Sequence, residues 1–248
     1  MQQRTTEWLD KTQVNTDYHQ RQLREPYRST IAFCDWLETL GLISPDRSLR
    51  ILDLAAGLGT NMFYMSQRYP QSTFVGVDLN AELVEKGNAL FEERGVSNCH
   101  LEVGNIYEMD SSYAGKFDGV VCYQSLLCLP DFERPVQTMI DVAPQWIAAT
   151  SLFYDGQVSC RIEATEYTDD LEPHRSSFYN IYSLPVVSKY FRDHGYPGFE
   201  FTRFEIDRDL PKPERKIMST YTEKLGDGHR LQISGPLLMP WYFIAGTR

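Results

Sequence analysis

The sequence has no long hydrophobic run and no cysteine motif. No apolar stretch approaches the roughly 20 residues that a membrane-spanning helix needs, and the amino-terminal MQQRTTEWLDKTQV has no apolar core of the signal-peptide kind. We therefore expect a cytoplasmic protein without a membrane partner. The five cysteines form no CxxC pair and stand beside no histidine at a zinc-ligand spacing. They indicate reduced, mostly buried thiols, and we expect no metal site.

The sequence also lacks a cluster of basic residues. Its formal net charge is −10, whereas a surface that follows nucleic-acid phosphates needs a basic face. We therefore expect no nucleic-acid partner. The 42% hydrophobic and 23% charged composition is that of an ordinary globular protein, and 248 residues suffice for a single domain.

Short apolar strands and amphipathic helices alternate from Leu49 onward. The predicted strands are Leu49–Leu54, Thr73–Asp78, His100–Val103, Phe117–Tyr123 and Trp146–Phe153, and the predicted helices between them are Asn61–Arg68, Ala81–Arg94 and Phe132–Val142. This order predicts an α/β fold with a mostly parallel sheet and helices on both faces. An apolar stripe ahead of Gly41 predicts a helix before the first strand.

The carboxy-terminal part has a different pattern. Residues 155–183 are polar and aromatic without a clear period, and a helix at about Val186–His194 leads to a strand near Phe199–Ile206. Residues 220–234 read as two strands around the turn Gly226-Asp227-Gly228, because glycine tolerates positive φ. With a last strand at Trp241–Ala245, they predict an antiparallel edge on the sheet.

Polar and small residues follow each of the first four strands. Asp53-Leu-Ala55-Ala56-Gly57-Leu-Gly59-Thr60 comes directly after the first strand and opens a helix. Its small residues let the backbone approach a ligand beyond the carboxyl ends of the strands. Asp78 ends the second strand, where a carboxylate accepts both hydroxyls of a ribose. Asn105-Ile106 and Tyr123-Gln124 follow the third and fourth strands.

This set of residues resembles the class I S-adenosylmethionine (SAM)-dependent methyltransferases over about residues 49–153. The resemblance implies a Rossmann-like sheet of seven strands, SAM as the cofactor and S-adenosylhomocysteine as its product. Ala55 stands where a glycine is common in that family, and Asn105 where an aspartate is common. The implied cofactor contacts in this part of the chain are Asp53, Ala55, Ala56, Gly57, Asp78, Leu79, Asn105, Ile106, Tyr123 and Gln124.

Each of these residues also has a simpler interpretation. The glycines alone are compatible with a tight turn, Asp53 with a backbone-orienting role, Asp78 with a helix N-cap and Asn105 with a turn. A nicotinamide-dependent dehydrogenase has a similar turn, but its G-x-G-x-x-G motif needs a third glycine where this chain has the bulky Met62.

The resemblance also divides the chain by role within a single domain. The predicted parts are a helical amino-terminal lid (1–48), the SAM-binding core (49–153), a substrate cap inserted after the fifth strand (154–185), and a carboxy-terminal helix with antiparallel strands (186–248). In the lid, Tyr18 and Arg28 are candidates for binding the methionine carboxylate of SAM, since arginine binds carboxylates in a bidentate way.

Candidate catalytic residues lie at the start of the cap and within it. Methyl transfer is an in-line displacement in which the protein brings the nucleophile close and excludes water. A base helps when the nucleophile is a hydroxyl, whereas proximity suffices for a neutral amine. His174 is the candidate base because histidine titrates near neutrality. Asp155 and Tyr154 are further candidates. Trp241 and Tyr242 are expected to pack in the core or at the sheet edge, with lining of the pocket as the alternative.

The sequence therefore predicts metal-independent methyl transfer from SAM to an oxygen or nitrogen of a small polar metabolite. A weaker resemblance of the carboxy-terminal third to methyltransferases of surface-sugar and secondary-metabolite pathways favours a sugar derivative or a secondary metabolite. A SAM-binding regulatory or scaffold protein and a protein or RNA methyltransferase are the alternatives. Pairing of the chain into a homodimer stays open.

Overall fold

A mixed sheet with helices on both faces forms the centre of the computed structural model, which describes residues 25–214 and 217–248. The strands are β1 (Arg50–Leu54), β2 (Thr73–Asp78), β3 (Cys99–Val103), β4 (Gly119–Tyr123), β5 (Trp146–Tyr154), β6 (Glu163–Tyr167), β7 (Pro173–Phe178), β8 (Tyr182–Ser183), β9 (Gly198–Arg203), β10 (Thr220–Lys224), β11 (Arg230–Ser234), β12 (Leu237–Leu238) and β13 (Trp241–Thr247). The α-helices are α1 (Arg28–Thr39), α2 (Thr60–Arg68), α3 (Ala81–Glu93), α4 (Glu133–Asp141) and α5 (Leu184–Asp193). The predicted α/β order is confirmed.

The main sheet has the strand order β3-β2-β1-β4-β5-β13-β9, with β8 paired to β5. Strands β1 to β5 are parallel, and β13 is antiparallel to both of its neighbours. The order reverses between β1 and β4. Open α/β sheets bind their ligands beyond the carboxyl ends of the strands at such a reversal.

The antiparallel strands differ from the sequence-based expectation in their placement. Strand β13 is almost wholly buried and lies inside the sheet, with β9 as the outermost strand. An apolar strand such as WYFIAGT is stable where both of its faces are covered. The hairpin at residues 220–234 is present, but it forms a separate sheet of β10, β11 and β12.

The two faces of the main sheet are covered by different helices. Side chains of α1, α2 and α3, such as Phe33, Met62 and Phe91, pack on one face. Side chains of α4 and α5, such as Val136 and Phe191, pack on the other. These helices fix the sheet from which the turns after β1 to β4 emerge.

The segment after β5 contains the antiparallel pair β6 and β7, which the sequence pattern did not reveal. These strands carry polar side chains and are partly exposed on both faces, so they lack the apolar alternation of a half-buried strand. We call β6, β7, β10, β11 and β12 the cover strands. Within the described residues, no helix is long and apolar enough to cross a membrane.

Candidate functional site

A cavity of about 410 Å³ lies at the carboxyl ends of the central strands. One side is formed by the turns after β1 to β4, and the other by residues of the cover strands and their connections. Nine of the predicted cofactor residues line it, namely Ala55, Ala56, Gly57, Asp78, Leu79, Asn105, Ile106, Tyr123 and Gln124. The structure therefore brings together residues that are up to 69 positions apart (124 − 55) in the sequence.

The turn after β1 has a left-handed backbone at three positions. Ala55 has φ 59°, Gly57 has φ 57° and Gly59 has φ 74°. The turn is also bonded to the end of β2, because the Gly57 N–H donates to Asp78 Oδ2 at 2.7 Å and the Ala56 N–H donates to the Val77 carbonyl at 3.1 Å. The turn and Asp78 are thus one hydrogen-bonded unit that faces the cavity.

The left-handed backbone predicts opposite effects for two exchanges in this turn. Ala55→Gly should raise the free energy of unfolding by up to about 1 kcal/mol, because it removes the left-handed strain of a Cβ but adds chain entropy to the unfolded state. Gly59→Ala should lower it by about 2 kcal/mol, since its Cβ would lie 2.6 Å from Phe91 Cζ. Urea unfolding of both variants measures this, and a neutral Gly59→Ala would contradict the described turn.

Asp78 does not cap the following helix. The N-cap of α3 is Asn80, whose Oδ1 accepts from the N–H groups of Glu82 and Leu83 at 3.1 and 3.2 Å. Asp78 Oδ1 accepts from the Asn80 N–H at 2.9 Å. Burial raises the pKa of Asp78, and the hydrogen bonds from Asn80 and Gly57 offset this only in part. Each carboxylate oxygen has two acceptor sites, so both can still accept a ligand hydroxyl.

Asp53 lies beneath the turn and is not among the residues that line the cavity. Its side chain is buried, and Oδ1 has no hydrogen-bond partner among the described residues. Burial, followed by the nearby charge of Asp78, raises the pKa of Asp53 to about 8. At neutral pH this carboxyl group is therefore mostly protonated, which suits a residue that supports the turn better than a direct ligand.

The ends of β3 and β4 supply further parts of the cavity wall. Asn105 Oδ1 accepts from the Tyr107 N–H at 3.0 Å, so Asn105 shapes a turn and also lines the cavity. Gln124 has φ 54°, and its Nε2 donates to Ser29 Oγ at 3.3 Å. Thr30 Oγ1 donates to Tyr123 Oη at 3.2 Å. The first turn of α1 thereby holds the end of β4.

The structure describes only one of the two amino-terminal candidates for cofactor binding. Tyr18 lies outside the described residues. Arg28 is exposed and forms an ion pair with Asp207 at 3.1 Å, and it does not line the cavity. Arg28 is the first residue of α1, and the residues after it contact β4. Its own side chain lies toward the surface loop after β9, where Asp207 is located.

The three predicted catalytic residues are also away from the cavity. Tyr154, Asp155 and His174 are exposed, and none lines it. A register irregularity explains the misplacement of His174. Arg175 pairs with Glu166, but the next pair is Pro173 with Tyr167, so His174 is the extra, unpaired residue of a β-bulge. Arg175 and Ser177 line the cavity, whereas His174 is exposed.

The sequence patterns missed most residues of the cover side of the cavity. Those that line it include Arg175, Ser177, Tyr179, Met218, Thr220, Ser234 and Met239. Trp241 also lines it, which was the second of the two expected placements for this residue. The aromatic and charged density of residues 154–185 was the only available signal, and it indicated the segment without indicating which face was inward. Within the described part of the chain, no three His, Cys, Asp or Glu residues cluster as metal ligands would.

Comparison with known proteins agrees with this geometry. Residues 45–149, which run from ahead of β1 into β5, match the family model described as a methyltransferase domain. The central part of this chain therefore matches a methyltransferase domain. The match contains the turn after β1 and the ends of β2, β3 and β4, but not the cover strands.

The relatives that match part of this chain have varied descriptions. An uncharacterized protein of Rickettsia prowazekii is 31% identical over 40% of this chain and 41% of its own. Trans-aconitate 2-methyltransferase of Deinococcus radiodurans is 31% identical over 38% of this chain and 34% of its own. A tRNA (guanine-N(7)-)-methyltransferase of Synechocystis is 31% identical over 38% of this chain and 43% of its own. The matched segment thus spans less than half of each relative.

Solved structures show the same fold over more of the chain. The crystal structure of the N-terminal domain of EvdMO1 with S-adenosylhomocysteine bound has a TM-score of 0.55 at 14% identity. The alignment covers 88% of this chain and 80% of that one. At this identity the similarity establishes the fold alone.

Proposed function

We propose that this chain is a SAM-dependent methyltransferase that acts on an oxygen or nitrogen atom of a small polar molecule. One observation carries the proposal. The turn after β1, Asp78, Asn105 and Tyr123 come from four separate strand ends and line a single cavity. That cavity lies at the reversal of strand order, where this fold class binds nucleotide-like ligands.

The residues of the turn side fit the parts of SAM. Asp78 has acceptor sites for ribose hydroxyls, and the Asn105 amide suits the amine of adenine. Leu79 and Ile106 give apolar surface for the adenine ring, and the small Ala55–Gly57 segment leaves room for a close approach. When bound, SAM supplies an activated methyl group on a sulfonium. The chain's own task is then to align the acceptor and exclude water.

The cover side of the cavity supports a small acceptor. Residues of β7, β10 and β11 line the cavity together with Trp241, so its acceptor side is walled by protein. A volume of about 410 Å³ is within the usual range of small-molecule sites. The acidic balance of the chain also disfavours a nucleic-acid acceptor, although a tRNA methyltransferase is among the relatives.

Calorimetric titration of the wild-type protein with SAM, S-adenosylhomocysteine and NAD⁺ tests the cofactor. We expect micromolar binding of the first two, about −7 to −8 kcal/mol, and none of NAD⁺. Absence of SAM binding by folded protein, or preference for NAD⁺, would overturn the proposal.

Transfer of labelled methyl groups from SAM into separated metabolite, RNA and protein pools tests the acceptor. We expect label in the small-molecule pool. Label confined to tRNA or protein would contradict the small acceptor. Binding of SAM without transfer to any pool would favour the regulatory or scaffold alternative.

A further inference from the structure

Arg175 is the basic side chain that the described structure places in the cavity wall. The remaining lining residues are neutral, except for Asp78 on the turn side. Arg175 lies on β7, and Ser177 and Tyr179 line the cavity at the next two alternate positions. A positive charge thus lies on the cover side, next to hydroxyl groups.

Glu166 holds this arginine from the neighbouring strand. The two residues are directly opposite each other in the β6–β7 pairing, and Arg175 Nη2 forms an ion pair with Glu166 Oε1. The Met218 N–H also donates to Glu166 Oε2 at 3.4 Å. Glu166 is therefore a positioning residue, which links the guanidinium to both groups of cover strands.

The ion pair leaves at least one donor of the guanidinium unused among the described residues. Arg175 Nε is shielded from solvent and has no hydrogen-bond partner among the described residues. A buried donor without an acceptor costs about 1–3 kcal/mol, and more when the group is charged. The described residues thus supply fewer acceptors than this guanidinium has donors, and a ligand in the cavity is a source of further acceptors.

We propose that the methyl acceptor carries a carboxylate group that Arg175 binds. This proposal rests on the proposed function, because it concerns the acceptor side of the same cavity. The planar guanidinium matches a carboxylate in two parallel hydrogen bonds. Glu166 already neutralises part of the local charge, which favours a singly charged group over a doubly charged phosphate. The hydroxyls of Ser177 and Tyr179 line the same face and are suited to the acceptor's other polar groups.

The test is a calorimetric titration of acetate, succinate and citrate into the full chain saturated with S-adenosylhomocysteine. Succinamide is the uncharged probe and inorganic phosphate the alternative anion. We expect wild type to bind at least one carboxylate more tightly than phosphate, and not to bind succinamide. Arg175→Gln should weaken the carboxylate at least tenfold and leave S-adenosylhomocysteine affinity within about twofold.

Two further variants separate binding from structure. Arg161→Gln, an exposed arginine between β5 and β6, is the matched control and should have no effect. Glu166→Gln keeps an amide oxygen that can still position the guanidinium but removes the countercharge, so it should strengthen carboxylate binding a few-fold. Weakening as large as that of Arg175→Gln would show that the pair acts through structure and would contradict the proposal.

Failure of the two proposals gives different results. If wild type binds S-adenosylhomocysteine but none of the carboxylates, or if Arg175→Gln binds them as wild type does, the carboxylate proposal is wrong and the proposed function stands. If Arg175→Gln instead abolishes S-adenosylhomocysteine binding, the arginine serves the cofactor and the carboxylate proposal is again wrong. If wild type binds no S-adenosylhomocysteine, the proposed function itself fails.

Discussion

Asp78→Ala is expected to weaken SAM binding about 100-fold. A hydrogen bond to a charged group contributes about 1.5–3 kcal/mol, so the loss of two ribose contacts corresponds to roughly 3 kcal/mol. The variant also removes the acceptor of the Gly57 N–H, which loosens the turn after β1. Calorimetric titration with SAM and S-adenosylhomocysteine measures both effects together.

Two control variants distinguish the ribose contacts from a general loss of structure. Asp78→Asn keeps one acceptor oxygen and should lose less affinity than Asp78→Ala. Glu85→Ala removes an exposed acid from the following helix and should bind SAM as wild type does. Unchanged affinity in Asp78→Ala would show that the cavity does not hold a ribose at the end of β2.

Asp53→Asn is expected to remove a large pH dependence of stability. The pKa of Asp53 is raised from 3.8 to about 8 in the folded protein, by burial first and then by the charge of Asp78. Between these two values the unfolded chain loses this proton and the folded chain keeps it. The unfolded state therefore binds fewer protons, and wild-type stability falls as pH rises from about 4 to about 8. The slope is at most about 1.4 kcal/mol per pH unit.

Chemical unfolding at pH 5, 6.5 and 8 measures this slope. We expect Asp53→Asn to gain stability relative to wild type at each step, with a difference of several kcal/mol at pH 8. Asp118→Asn is the matched control, since Asp118 is a carboxylate just before β4 that accepts from the Arg50 N–H at 2.7 Å. Parallel pH profiles of wild type and Asp53→Asn would rule out the raised pKa.

The cofactor side of the cavity was largely predictable from the sequence because its determinants are local. A turn that follows a buried strand is placed by that strand, and the central strands β1 and β4 are almost wholly buried. The carboxyl ends of parallel strands lie at one edge of the sheet, so the residues that follow these strands meet there. They include Asp78, Asn105 and Gln124. Asp53 was the exception, because its depth beneath the turn depends on packing and not on its position in the chain.

The acceptor side was not predictable for a physical reason. Strands β6 and β7 have polar side chains on both faces, so no apolar period indicates which face is turned inward. A shift of one residue separates His174, which points outward, from Arg175, which lines the cavity. Which side chains of β7 face the cavity is set by the pairing of Glu166 with Arg175 and by contacts with the distant β10 to β12 region.

The position of the cover strands between β5 and β13 has a consequence for how this scaffold changes its specificity. Strands β5 and β13 are paired along their length, with Leu152 opposite Trp241, so the intervening chain leaves and returns at one edge of the cavity. Replacing β6–β7 or β10–β12 with the corresponding segment of another protein would therefore exchange only a connection between two strands of the sheet, and the strand order would stay the same. New acceptors are accessible to evolution, and to engineering, without disturbance of the turns that face the cofactor.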